Sequence, residues 1–127
     1  MSIKSIHTEH APAAIGPYSQ AYTAGEFLFT SGQGGLLPES GKVVNGGIEA
    51  QAEQTMKNLQ AILAQAGTDF SRVVKANCYL ADMKDFAAFN GVYEKFFVSK
   101  PARTCVAVRE LPLGILCEVE IIAYLGA

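Results

Sequence analysis

Hydrophobic residues at positions 48 to 66 return every three or four positions, which is the spacing of an amphipathic helix. Gly67 follows directly and predicts the end of that helix. A shorter run with the same spacing, residues 86 to 97, predicts a second helix with Asp85 near its start. Each helix should therefore pack one apolar stripe on a common core.

Short or alternating apolar segments predict the strands. An opening pair covers residues 19–23 and 27–31, with a tight turn at Gly25, and a glycine-rich loop follows. Further strands are predicted at residues 73–80, 104–108 and 116–125. The order of elements describes one α+β domain over residues 1–127, with both helices on one face of a mostly antiparallel sheet.

The last predicted strand distinguishes the two faces of the sheet, because successive strand residues point to opposite sides. Its odd-numbered positions, from 117 to 125, are apolar and should face the helices. Glu118 and Glu120 then face the open side, together with Ile122 and Tyr124. An apolar face with a few charges is typical of subunits that meet around a polar pocket, so we expect a closed oligomer.

The preceding strand places an arginine two positions before a cysteine, in the sequence PARTCVAV (101–108). The residues that suit its helix side are Thr104, Val106 and Val108. Arg103 and Cys105 would then lie on the open face. The pattern thus predicts that Arg103 and Glu118 share one face of the sheet.

Composition narrows the class of protein. The 127 residues are 50% hydrophobic and only 17% charged, which indicates one core and surplus apolar surface buried between subunits. The net charge of −2 argues against nucleic acid as a main partner. The three cysteines lack metal-ligand spacing and indicate reduced thiols. Without a secretory signal or a membrane-spanning run, we expect a soluble cytoplasmic protein.

Arg103 is the sharpest candidate for chemistry, because a guanidinium fork suits a carboxylate of a ligand or of a neighbouring side chain. On spacing alone, a structural ion pair with Glu118 or Glu120 is the simpler interpretation. The two glutamates could raise each other's pKa for acid/base catalysis, or could each pair with a cation, one of them from a neighbouring chain.

Other candidates carry weaker signals. Cys105 could be a nucleophile favoured by Arg103, although a small buried packing role is more typical of cysteine. His7 and His10 precede the first strand pair and are expected to be exposed rather than catalytic. Tyr18, in GPYSQA (16–21), either covers a pocket or packs. The bend at Ser31 and Gly32 could present backbone amides to an anion.

Several segments resemble the RidA (YjgF) family of reactive intermediate deaminases. They are GPYSQA (16–21), TSGQ (30–33), QxxQTxxNLQAIL (51–63), YLADMKDFAAFNGVYEKFF (79–97), PARTCVAV (101–108) and the following EVEIIA (118–123). The resemblance implies a chorismate-mutase-like fold, a homotrimer with three clefts between subunits, and no cofactor or metal. It also implies hydrolysis of 2-imino acids, which arise from enamines such as 2-aminoacrylate, to 2-keto acids and ammonia.

The resemblance also implies roles for particular residues. Arg103 matches the arginine that grips the substrate carboxylate, Glu118 the site glutamate, and Cys105 the cysteine that borders the attacking water. These three form the predicted catalytic set. The substrate-binding positions would be Arg103, Cys105, Tyr18, Ser31, Gly32 and Asn90. Gly34 and Gly35 depart from the Ile or Leu and Pro that usually follow TSGQ, which concerns substrate range more than reaction type.

Two alternatives remain open from the sequence. A binding module could use the same arginine to hold a keto acid or amino acid without turnover. A ribonuclease or translation inhibitor is a lesser alternative, because the chain is acidic and lacks both a basic aromatic stripe and paired histidines for RNA cleavage.

Overall fold

The structure is a computed structural model that describes residues 2–126. Its two α-helices are α1 (Gly47–Gln65) and α2 (Phe86–Phe96). The strands are β1 (Ile3–Ile6), β2 (Ala21–Ala24), β3 (Phe27–Thr30), β4 (Gln33–Gly34), β5 (Val73–Leu80), β6 (Ala102–Ala107) and β7 (Cys117–Tyr124). They form one sheet in the order β1, β2, β3, β7, β5, β6, with β4 also paired to β7. The pairing is antiparallel except between β5 and β6, which are joined through α2.

The core lies between the helices and one face of this sheet. Met56 and Leu59 of α1 and Phe89 of α2 are fully buried there. The odd-numbered residues of β7 from 117 to 123 are buried, whereas the even-numbered ones are half-buried on the other face. The predicted α+β class, with both helices on one face of a mostly antiparallel sheet, is therefore confirmed.

The end of α1 shows why the periodicity gave reliable bounds. Gly67 has a φ of 83°, in the left-handed region where a side chain is disfavoured. The N–H of Gly67 donates to the carbonyl of Ala64, and the N–H of Thr68 donates to that of Leu63 at 2.9 Å. This Schellman motif satisfies carbonyls that the helix leaves unpaired, so the helix ends where the glycine predicts.

Two short strands were not predicted. Three of the four residues of β1 are exposed, and only Ile6 reaches the core. β4 has two residues, which is too short for any periodicity. Both are specified by their pairing with distant strands rather than by a local pattern.

An irregularity separates β3 from β4 where both lie beside β7. Phe29 is opposite Ile122, and Gln33 is opposite Val119, so four steps along one strand match three along β7. The Thr30 hydroxyl accepts the Ile121 N–H at 2.9 Å in place of a backbone carbonyl. Such a β-bulge bends a strand and redirects its side chains, and bulges are frequent next to active sites.

A buried glutamine holds the N-terminal arm against the sheet. The Gln20 side chain is 2% exposed and accepts the Thr8 N–H at 2.8 Å. Its Nε2 donates to the carbonyls of Thr8, Ala11 and Pro12. Residues 8 to 12 therefore follow a path set by one side chain, which brings the next residues of the arm beside the bulge.

Candidate functional site

A small cavity of about 70 Å³ lies beside the side chain of Glu118. Its polar end is formed by Glu118, Gly32 and Tyr18. Its apolar wall comes from the N-terminal arm, from Leu36 and from the β6–β7 loop; the loop residues are Pro112, Leu113 and Ile115. The bulge, the arm and this loop therefore surround one carboxylate.

Glu118 differs from Glu120 in the hydrogen bonds that its carboxylate accepts. Its carboxylate has no hydrogen-bond donor among residues 2–126, and burial, followed by the charge of Glu120, raises its pKa. Glu120 instead accepts hydrogen bonds from the Tyr79 hydroxyl at 2.8 Å and from Asn77 Nδ2 at 3.2 Å. Glu118 is thus the carboxylate whose oxygens stay free to bind and whose proton affinity suits acid/base work.

The Glu118 carboxylate packs closely against the bulge at Gly32. A Cβ placed on Gly32 would clash with the Glu118 carboxylate and would lie 2.6 Å from its Cδ. The Ser31 hydroxyl donates to the Ser19 carbonyl, which ties the bulge to the start of β2. Tyr18 is 48% exposed at the cavity mouth, and its hydroxyl accepts the Ile15 N–H at 3.4 Å.

Arg103 occupies the other face of the sheet, and the predicted orientation of β6 is wrong. Arg103 pairs in register with Ala76, and Cys105 with Cys78; both β5 residues are fully buried on the helix side. Val106 lies on the open face, 43% exposed, beside Tyr79. β6 is an edge strand at the margin of the helix layer, so the expected burial of Thr104 and Val106 does not occur there.

Side chains of α2 hold the guanidinium of Arg103. Its Nη1 donates to Asn90 Oδ1 at 2.7 Å. The guanidinium carbon lies 4.6 Å from the ring centre of Tyr93 and 5.7 Å from that of Phe86. A planar cation over aromatic faces is favourable, and the hydrogen bond to the Asn90 side chain restricts the rotation of the guanidinium. Asn90, predicted to bind substrate, contacts Arg103 in this chain.

Cys105 lies beside Cys78 on the helix side of the sheet. Burial raises the pKa of the Cys105 thiol, although the charge of Arg103 acts in the opposite direction. Burial likewise raises the pKa of Cys78 to about 12. Protonated thiols are poor nucleophiles, so the structure favours the packing interpretation of Cys105.

Arg103 and Glu118 do not meet within one chain. Glu118 lies opposite Tyr79 on the open face, whereas Arg103 lies opposite Ala76 on the helix side. The ion pair between Arg103 and either glutamate is therefore absent from the described chain. The fold brings the predicted site residues together in two groups. One group, at the cavity, contains Glu118, Gly32 and Tyr18. The other, near α2, contains Arg103, Asn90 and Cys105.

Some residues around these groups gave only faint sequence signals. Phe86, Asn90 and Tyr93 have the spacing of one helix face, and a polar residue within that aromatic stripe could have indicated a cationic partner. Ile115 follows a short helical turn, Pro112–Gly114, and no periodicity marks it. His7 and His10 are exposed, as predicted.

Two features are absent from residues 2–126. No group of three or more His, Cys, Asp or Glu side chains in this part of the chain could hold a metal ion. No helix in the same range is both long and apolar enough to cross a membrane.

Comparisons with known proteins establish the family of this chain. A family model described as Endoribonuclease L-PSP matches residues 8–125. The solved RidA of the Antarctic bacterium Psychrobacter sp. PAMC 21119 is 43% identical, with a TM-score of 0.91, and the match covers 95% of this chain and 98% of that one. The chain belongs to the RidA (YjgF) family. The family resemblance and the RidA fold predicted from the sequence are thereby confirmed.

Other RidA relatives carry names or ligands that concern function. A mouse protein named 2-iminobutanoate/2-iminopropanoate deaminase is 49% identical over 124 residues, covering 97% of this chain and 92% of its own. Escherichia coli TdcF, solved with bound serine, is 38% identical with a TM-score of 0.90, covering 95% of this chain and 98% of its own. RidA relatives thus include a protein named as a deaminase and one that holds a small amino acid.

The Tyr93 ring beneath Arg103 leads to a first prediction. The Tyr93 hydroxyl is buried without a hydrogen-bond partner among residues 2–126, and burial raises its pKa to about 12. Tyr93→Phe keeps the ring and removes the unpaired hydroxyl, so its melting temperature should be equal to or above that of wild type.

Tyr93→Leu removes the ring and should lower the free energy of unfolding by up to ~2 kcal/mol, the size of a desolvated cation–π contact. Thermal unfolding of both variants gives the comparison. Equal stabilities of the leucine and phenylalanine variants would show that the ring does not hold Arg103.

Proposed function

We propose that this RidA chain hydrolyses 2-imino acids, such as 2-iminopropanoate and 2-iminobutanoate, to 2-keto acids and ammonia. The reaction would occur in clefts between the subunits of a homotrimer. The observation that carries the proposal is the position of a raised-pKa carboxylate, Glu118, with free oxygens at a small half-apolar cavity. The name of the mouse relative and the serine bound to TdcF support the same class of ligand.

The separation of Arg103 from Glu118 supports a site made by two subunits. Because they lie on opposite faces of one chain, a cleft that uses both needs Arg103 of one copy and Glu118 of another. The open face also offers surface for assembly, since Tyr22 and Phe29 are 45% and 43% exposed there and Ile122 lies beside them. Burial of such a face between subunits is favourable.

Arg103 would bind the substrate carboxylate through its guanidinium fork while Asn90 and the aromatic rings of α2 keep the fork oriented. This grip would place C2 of the protonated imine beside Glu118 and a water molecule. The reacting groups would then be held in the reactive geometry and would not have to meet by diffusion. Cys105 would shape the site by its volume rather than by covalent chemistry.

Glu118 would act first as a base and then as an acid. It accepts a proton from the water as the water oxygen bonds to C2 and the C2=N π electrons move to nitrogen. It then returns that proton to the nitrogen of the carbinolamine. As the C2–N bond breaks and the C2=O bond forms, the carbinolamine hydroxyl gives its proton to Glu118, which passes it on to the departing ammonia or to solvent. The protonated imine and water thus give the 2-keto acid and ammonium, so atoms and charge balance with water as the only co-reactant. The raised pKa of Glu118 makes its carboxylate a stronger base for the first of these proton transfers.

Hydrolysis of 2-iminopropanoate, generated in place from L-serine by a pyridoxal-phosphate-dependent dehydratase, tests the proposal. Light scattering should first show a trimer. Wild type should accelerate pyruvate formation, and Arg103→Ala should abolish the acceleration. Arg109→Ala is the matched control, because Arg109 is exposed and does not line the Glu118 cavity. No acceleration by wild type, together with tight 2-oxobutanoate binding, would support a binding module instead.

Endoribonuclease activity is a second candidate, because the matching family model has that description. The net charge of −2 and the position of His7 and His10 outside the Glu118 cavity weigh against it. RNA cleavage that persists in Arg103→Ala through successive purification steps would favour this candidate.

A further inference from the structure

The cavity beside Glu118 has two chemically different ends. Glu118 and Gly32 form its polar end, where the proposed reaction takes place. Most of the remaining lining residues are apolar, and they include Leu36, Leu113 and Ile115. A substrate whose C2 lies beside Glu118 would therefore direct its aliphatic substituent towards these apolar side chains. With a volume of about 70 Å³, the cavity has room for only a few heavy atoms.

The size of the cavity depends on a close contact between a glycine and an isoleucine. Gly34 lies opposite Glu118 in the pairing of β4 with β7. A Cβ added to Gly34 would lie 2.5 Å from Ile115 Cδ1 and 3.5 Å from the Cys117 carbonyl oxygen. The Ile115 side chain, 4% exposed, therefore fills the space that the missing Gly34 side chain leaves.

The backbone around Gly34 is held firmly, so the cavity cannot easily adjust by moving this segment. Asn58 of α1 is fully buried, and its Nδ2 donates to the carbonyls of Gly34 and Leu36 at 3.1 and 2.9 Å. A Cβ on Gly35 would lie 2.7 Å from Gln51 Cα, so this segment packs directly on α1. Ile115 thus packs against a backbone segment that α1 fixes on its other side.

We infer that Ile115, packed against Gly34, limits the length of the substrate side chain that this site accepts. The inference rests on the proposed function, because it assigns the substrate side chain to the cavity beside Glu118. It makes the Gly34–Gly35 segment a determinant of substrate range through a specific contact. Shortening Ile115 should open the cavity, and adding a methyl group at Gly34 should push Ile115 Cδ1 into it.

Three variants test this inference by substrate selectivity. The readout is the ratio of kcat/KM for 2-iminohexanoate to that for 2-iminobutanoate, with both imines generated in place from L-norleucine and L-2-aminobutanoate by an amino-acid oxidase. Ile115→Ala should raise the ratio about tenfold or more, because one or two methylene groups in an apolar pocket change selectivity to that extent. Gly34→Ala should lower it. The double variant should return to within about threefold of wild type, because the new methyl occupies the space vacated at Ile115.

Ile3→Ala is the matched control, since Ile3 is 75% exposed in β1 and its truncation should leave the ratio unchanged. If Ile115→Ala does not fold, Ile115→Val provides a smaller truncation with a smaller shift in the same direction. A folded, active Ile115→Ala variant with the wild-type ratio would overturn the inference.

The failure of the proposed function would be distinguishable. If wild type hydrolysed neither imine, the proposed reaction would be wrong. The binding of 2-oxobutanoate and 2-oxohexanoate would then test directly which side chains the cavity accepts. Ile115→Ala should then raise relative affinity for the longer keto acid. Unchanged relative affinity, or no binding of either keto acid to wild type, would overturn the inference as well.

Discussion

Arg103→Lys is expected to lower kcat/KM for 2-iminobutanoate by about 10²-fold or more, because a misplacement of ~1 Å at a reacting centre has an effect of that size. Lysine keeps the positive charge but lacks the planar fork that can grip a carboxylate with two parallel bonds. It also loses the guanidinium stacking on Tyr93 and the geometry of the bond to Asn90. Both the affinity for 2-oxobutanoate and the turnover should therefore fall.

Arg109→Lys is the control for this measurement, since Arg109 is exposed and lies six positions further along the chain. Trimer formation is checked first, because a loss of assembly would remove activity for another reason. A trimeric Arg103→Lys protein with wild-type turnover and affinity would mean that Arg103 does not bind the substrate carboxylate.

Glu118→Gln should fail in a different way. Removal of an acid/base group typically costs a factor of ~10²–10⁴ in rate, while the grip of Arg103 on the carboxylate is left intact. Turnover should therefore fall in that range with little change in 2-oxobutanoate affinity. Steady-state kinetics and calorimetric titration together separate this result from that of Arg103→Lys. Unchanged turnover would exclude Glu118 as the acid/base group.

The pH dependence of the rate provides a second readout of Glu118. A base must be ionised, so activity should fall as pH decreases through the raised pKa of Glu118, above the usual carboxyl range. Glu120→Gln removes the neighbouring charge that contributes to this shift, so its acid limb should move to lower pH. An acid limb unaffected by Glu120→Gln would argue that another group titrates.

Stability should follow the same pKa with a definite sign. A folded-state pKa above the unfolded value means that the folded protein binds the proton more tightly. The free energy of unfolding of wild type therefore falls as pH rises from the ordinary carboxyl pKa through the raised pKa of folded Glu118. Glu118→Gln should gain stability relative to wild type at neutral pH, and the gain should disappear below the ordinary carboxyl pKa.

The helices and the last strand could be predicted from the sequence because their burial is one-sided and complete. Apolar residues of α1 recur at helical spacing up to Gly67, and apolar residues alternate with others along β7 from Cys117. In both elements the recurring apolar positions of the sequence are the buried positions of the structure. The orientation of β6 could not be read in the same way. Its two faces differ little in polarity, and the partner that decides between them is the aromatic face of α2.

In the candidate site, too, the sequence indicated some features and not others. Glu118 and Arg103 stood out because charges in apolar strands are unusual, and the family resemblance suggested their roles. The cavity beside Glu118 depends on a bulge, on Gln20 and on the β6–β7 loop, which meet only after distant segments have folded together. No local spacing could have indicated that Ile115 contacts the position of Gly34.

The central claim is that each site combines Arg103 of one subunit with Glu118 of another, and mixed trimers test it most directly. Arg103→Ala and Glu118→Gln chains are co-expressed with different affinity tags, and trimers that carry both tags are isolated and assayed for 2-iminobutanoate hydrolysis. Each variant alone should be nearly inactive. Each isolated trimer holds two chains of one kind and one of the other, so about one in three of its clefts receives an intact Arg103 and an intact Glu118, and the isolated trimers should regain activity of that order. A mixture as inactive as the two parent variants, with mixed trimers demonstrated, would contradict a shared site.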